Sequence, residues 1–196
     1  MSATRRLIWV PIVHSAVDWG SLAETVYQRH IEQIGQEKTQ ELMGAIDAFW
    51  RHVAIELDAL ELDPTRVRLY QDGLPICGYE AKIVAELAAR GSPNHRLLEQ
   101  WMARGATLMG TESPDLLLQE LDWNRRALEA AQDKIAMLTL NLEAKELLRN
   151  RDGVMVERIL RTLSRGEVGI LFIGMLHSMA GRFPPDYDVK RLDIVL

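Results

Sequence analysis

Four short apolar runs in this chain each end on a side chain able to hold a metal ion or move a proton. Residues 7–13 lead to His14, 67–71 to Asp72, 106–111 to Glu112, and 169–176 to His177. Neutral imidazole is a common metal ligand and the natural acid–base group near pH 7. Carboxylates supply oxygen ligands or a general base. If the four runs are parallel strands, all four groups meet on one rim of one sheet. In open α/β sheets, ligands bind at that rim, outside the carboxyl ends of the strands.

The elements between the runs read mostly as helix. A helix is expected from Ser21, where Ser21 and Glu24 fit a capping box, with Gly35 interrupting it. A second helix runs over 37–60, with Ile46, Phe49, Trp50, Val53, Leu57 and Leu60 at helical spacing, and Asp63-Pro64 ends it. Helices over 80–90 and 92–104 follow, the first closed by Gly91 and the second opened by Ser92-Pro93. From Pro114 to Arg149 neither proline nor glycine occurs. Those positions predict one long helical arm or packing helix, about 54 Å if unbroken. Leu121, Leu128, Ile135 and Leu142 repeat along it every seven residues, a seam that fits a second copy of the chain. Asp152-Gly153 is a candidate kink before a helix over 154–165, and 191–196 reads as a closing strand. Pro11 is awkward inside the first strand and suggests a bulge or an edge. The expected architecture is a single α/β domain over 1–196, with a mostly parallel sheet flanked by helices.

Composition narrows the function classes. The 196 residues carry a formal net charge of −5 with no long basic tract, which argues against nucleic acid. No apolar run approaches the roughly 20 residues of a membrane span, and the N-terminus lacks a signal-peptide pattern. Cys77 is the single cysteine, so no intrachain disulfide forms. A soluble, cytoplasmic protein is the expectation.

Each candidate has a plainer reading. Asp72 precedes Gly73, a turn pair, and Glu112 precedes the helix cap Ser113-Pro114. Glu80 reads as a first-turn acid, His30 and His52 as partly exposed structural residues, and His95 as a residue of a helix's first turn, where a positive charge is unwelcome. Cys77 has no histidine near it in sequence to make it a nucleophile. No phosphate-binding glycine loop, zinc-protease helix motif or nucleophile elbow is present.

The C-terminal third carries Arg151-Asp152 on a helix and then Gly174-Met-Leu-His177 at the end of a strand. This resembles the TraB/Tiki superfamily of proposed metal-dependent hydrolases, related to erythromycin esterases and ChaN-like haem-uptake proteins. At the other end, Pro11-Ile-Val-His14 is similar to the family's first G-x-x-H strand, with proline in place of glycine. The stretch 105–112 looks like its strand ending in an acid, whereas 67–72 lacks the Val-Glu-Leu pattern. The resemblance implies a divalent ion (manganese, zinc or iron) held by His14, His177 and Asp72. Glu112 would be a ligand or general base, and Arg151 would orient a carboxylate or stabilise an oxyanion. The expected substrate is a small molecule or peptide. The alternatives are a non-catalytic protein holding haem or a small ligand at the same rim, and a helical interaction module on the same fold.

Overall fold

A computed structural model describes residues 4–179 and 181–194. Five strands form one all-parallel sheet: β1 (Arg5–Ile12), β2 (Val67–Gln71), β3 (Thr107–Met109), β4 (Val168–Gly174) and β5 (Tyr187–Arg191). Their order is β3-β2-β4-β1-β5. Six α-helices flank the sheet among the described residues: α1 (Ala23–Ile34), α2 (Gln36–Ala59), α3 (Glu80–Ala89), α4 (Pro93–Ala103), α5 (Pro114–Glu129) and α6 (Lys134–Thr162). None is long and apolar enough to cross a membrane.

Strand alternation sorts the core into two layers. Ile8, Val10 and Ile12 of β1, with Ile170 and Phe172 of β4, face Phe49, Trp50, Val53 and Leu57 of α2 and Leu98 and Trp101 of α4. Leu7, Leu171 and Ile173 point the other way, onto Met155, Val156, Ile159 and Leu163 of α6 and its C-cap. Strands buried on both faces read as continuous apolar runs, which is why these were legible. β4 lies between β1 and β2, although it follows both in sequence. The rim therefore gathers, in spatial order, the residues that follow β3, β2, β4 and β1.

Several expectations change in detail. Pro11 marks no bulge but a local edge: β1 pairs with β4 along its length, and with β5 only as far as Trp9. The β1–β5 register stops at Trp9 opposite Arg191, and Trp9 O accepts from Leu192 N. Alternation turns residue 11 toward β5 just beyond that stop, so its missing N–H removes no ladder bond. The chain after His14 first makes a 3-10 turn, Ala16–Leu22, and α1 starts only at Ala23. The closing strand is Tyr187–Arg191, earlier than expected, and Val195 and Leu196 of the expected strand lie outside the described residues.

The long arm is two helices, not one. It breaks over 130–133, where Asp133 caps α6 by accepting from Ile135 N (2.9 Å) and Ala136 N (3.1 Å). The turn folds α6 back on α5, and Trp123 Nε1 donates to Leu140 O at 2.8 Å. Asp152-Gly153 makes no break, and α6 runs on to Thr162.

Candidate functional site

Asp72 and His177 meet directly beyond the sheet. Asp72 N continues the ladder to Phe172 O (2.9 Å), and Gly174 N donates to Asp72 Oδ2 (3.0 Å). His177 Nε2 lies 3.2 Å from the same Oδ2. The other ring nitrogen, Nδ1, is 2.6 Å from Asp152 Oδ1, and Asp152 Oδ2 accepts from Ser178 N. Both ring nitrogens therefore donate to carboxylates, which requires the imidazolium. Burial opposes that charge, but the Asp152 and Asp72 carboxylates outweigh it and hold His177 up to about 9.

Arg151, one residue before Asp152, points into a second part of the cluster. Successive helical side chains diverge by about 100°, so one turn of α6 serves both parts. Arg151 grips Glu112 through Nε–Oε2 (2.6 Å) and Nη2–Oε1 (2.7 Å). Its Nη2 also reaches Asp72 Oδ1 at 2.5 Å, and Nη1 bonds Glu120 of α5. Burial works against Asp72's charge, yet His177 and Arg151 hold that carboxyl well below its usual range. Glu112 goes the other way: burial and the neighbouring Asp72 raise it, with Arg151 opposing. Glu120 is also raised, chiefly by burial.

Glu112 is fully buried beneath this layer, where Gly73 N donates to its Oε1 at 2.6 Å. It anchors Arg151 and does not line the cleft. Above it opens a cleft of about 610 Å³ lined by His14, Asp72, Glu120, Arg151 and His177, with Ile12, Leu87, Leu117, Leu121 and Leu148 as its apolar surface. His14 is exposed. Trp50 Nε1 donates to Val13 O (3.0 Å), which fixes the backbone just before it. Beyond His14, Asp18 accepts from Ser15 N (2.7 Å) and from Ser92 Oγ (2.7 Å). Ser92 spends its one proton there, so His95 Nδ1, 2.7 Å away, is the donor to Ser92 Oγ. His95 is thus buried in the cleft wall.

All five residues expected at the site, His14, Asp72, Glu112, Arg151 and His177, come together at one rim. Sequence reasoning missed Glu120 and the role of Asp152. Asp152 had a signal in its place beside Arg151. Glu120 had only its isolation among Leu116, Leu117, Leu118 and Leu121. The plainer readings of Glu80 and Cys77 hold: Glu80 accepts from Cys77 N (2.9 Å) at the start of α3, and Cys77 is an exposed free thiol.

The donor set fits a metal ion only in part. His177 Nε2 and Asp72 Oδ2 are spaced as two ligands of one ion would be, with Asp152 backing the ring. However, among the described residues no three His, Cys, Asp or Glu side chains are grouped to hold an ion. The Arg151 guanidinium already stands among the three carboxylates. No protein-family model, curated protein or solved structure matches the chain.

Proposed function

We propose that this chain is a hydrolase acting on an uncharged aliphatic carbonyl compound, an ester or amide, in the cleft beyond β1, β2 and β4. One observation carries the reading. Glu120, a carboxyl with raised proton affinity, shares the cleft with a doubly anchored imidazolium and with His14. Asp72, held low, and Glu120, held high, stand in the same cleft, and carboxyls whose proton affinities are pushed apart are a mark of acid–base chemistry.

Glu120 is the general base in this scheme, taking a proton from water, and Arg151 positions it. Glu120 then gives that proton to the leaving group, with His14 at the mouth of the cleft. His177 stays cationic, and its field favours negative charge developing on the carbonyl oxygen. The leucine-lined surface suits an aliphatic group, and the carboxylate excess disfavours an anionic one.

A second reading keeps the divalent ion, on the strength of the His177–Asp72 spacing. His177 and Asp72 would hold the ion, which would lower the pKa of bound water.

The test uses untagged full-length chain and a panel of p-nitrophenyl esters and aryl amides of increasing acyl length. Turnover that survives a chelator and falls at least about a hundredfold in Glu120→Gln supports the side-chain mechanism. Turnover that needs a stoichiometric ion supports the second reading. A panel with no turnover under either condition refutes the hydrolase.

A further inference from the structure

One wall of the cleft holds a polar side chain that the acid–base chemistry does not use. Asn94, in the first turn of α4, lines the cleft and is only 1% exposed. Its Oδ1 is a buried acceptor with no hydrogen-bond partner. Buried polar atoms are paired in the great majority of cases, so an orphan acceptor on the wall of a ligand-sized cleft calls for a donor.

The neighbours fix which way the carboxamide faces. Gln71 Nε2 donates to Asp72 O at 3.0 Å, and a main-chain carbonyl only accepts. Gln71 Oε1 is therefore the end turned to Asn94. Asn94 must meet it with its amino group, and Nδ2 donates to Gln71 Oε1 at 2.9 Å. Exchanging the two ends of Asn94 would set oxygen against oxygen. Oδ1 is thus held as an acceptor, and it cannot turn out to water without breaking the bond that Nδ2 makes to β2. The polar groups beside it are already committed to one another. His95 Nδ1 donates to Ser92 Oγ, and Ser92 Oγ donates to Asp18.

We propose that Asn94 Oδ1 receives the N–H of the substrate, so that the cleft takes an aliphatic amide and discriminates against an analogue of the same shape without that N–H. The proposal rests on the hydrolase reading for its carbonyl ligand and narrows ester or amide to amide. One amide group carries both complements: an oxygen for the field of His177 and an N–H for Asn94, which line the same cleft. A site that bonds a substrate N–H rejects the analogue lacking it, because the site's own polar atom is then left unpaired.

The test measures binding rather than turnover. N-methylhexanamide and ethyl pentyl ketone have the same shape and differ in N–H against CH2, and hexylamine adds a charged donor. Each is titrated into isotope-labelled full-length chain and followed by nuclear magnetic resonance. The amide is expected to bind about tenfold or more tightly than the ketone. In Asn94→Leu, which nearly keeps the shape, the two should bind within about twofold of each other. That variant also leaves Gln71 Oε1 unpaired, so its fold is checked by circular dichroism, and if it does not fold the wild-type comparison decides alone. Equal binding of amide and ketone to wild type, no binding of either, or a preference that survives in folded Asn94→Leu overturns the proposal. Hexylamine binding more tightly than the amide makes the wall a cation site and also overturns it. Amide-selective binding by a chain that turns over no ester or amide sinks the hydrolase and leaves this assignment standing. Ester turnover without amide selectivity does the reverse.

Discussion

Replacing Arg151 by methionine is the sharpest perturbation this fold allows. The substitution keeps much of the side chain's length and packing, and removes the guanidinium. Glu112 would then be left fully buried with Gly73 N as its remaining hydrogen-bond donor in the cluster. Asp72 and Glu120 would lose their shared cation. Breaking a buried pair by deleting one partner costs about 3–5 kcal/mol. A domain of this length has roughly 5–15 kcal/mol of stability and loses about 2–4 °C of melting temperature per kcal/mol. The expected fall is therefore about 6–20 °C, a folded but weakened protein.

The cause is separable from mere packing loss by a double-mutant cycle in urea. The amide introduced by Glu112→Gln still accepts from Gly73 N but carries no charge. Combined with Arg151→Met, that substitution should recover roughly 2–3 kcal/mol of the loss. The pH dependence has a definite sign. Burial raises Glu112, and without Arg151 that rise is unopposed. A group whose folded pKa lies above its unfolded value adds stability at low pH and loses it as pH climbs through the folded pKa. The gap between parent and Arg151→Met should thus narrow as the pH falls. A loss under about 1 kcal/mol, or strictly additive single and double variants, would refute the buried-pair argument.

Three further outcomes follow from neighbouring geometry. His177, held up to about 9 against an ordinary value of 6.5, contributes stability that is complete below that ordinary value and is lost as pH rises through about 9. The contribution is on the order of 3 kcal/mol for so buried a ring, so thermal scans should show the parent losing stability above neutrality and His177→Gln staying flat. Gly169→Ala should destabilise by about 1–3 kcal/mol in urea, because its Cβ would lie 2.8 Å from Leu7 Cδ1 and 3.1 Å from Leu163 Cδ2 in a filled core layer. Asp133→Ala removes the cap of α6 and should lower the unfolding free energy by about 1 kcal/mol, with helical content falling at the hairpin turn.

The sheet was legible because four of its strands are apolar runs set off by glycine, proline and acidic residues. Parallel pairing then brought their ends to one rim without further information. The helical hairpin was not legible. Gln132-Asp133 lacks the glycine or proline that usually announces a break, and the turn is specified by one capping carboxylate and by the packing of Trp123 on Leu140. The floor of the site was half legible. His14, Asp72, Glu112 and His177 announce themselves by position at strand ends. Glu120 reaches the cluster from the middle of α5, and only the fold of that hairpin makes it a neighbour of Arg151. The burial of His95 was not legible for a similar reason. A cation is unwelcome in a helix's first turn, but Ser92 and Asp18 receive the ring there, and Asp18 arrives from a distant loop.

A guanidinium and a divalent ion answer the same electrostatic problem, and the charge balance shows what the first leaves unsolved. Asp72, Glu112, Glu120 and Asp152 supply four carboxylates against Arg151, His177 and Arg182, whose Nη2 lies 3.7 Å from Asp152 Oδ2, four minus three. With all three cations in place, the cluster still holds one more negative charge than it neutralises. Asp72 and Asp152 are each in contact with the imidazolium, so the excess falls on the Arg151 side. There Glu112 and Glu120 are the carboxyls with raised proton affinity. Glu112 is sealed in the core and exchanges protons slowly with water. Glu120, about a third exposed at 35%, is the one that would exchange a proton with water in the proposed reaction. Under the proposed function, the same excess would favour a neutral carbonyl compound over phosphate or sulfate.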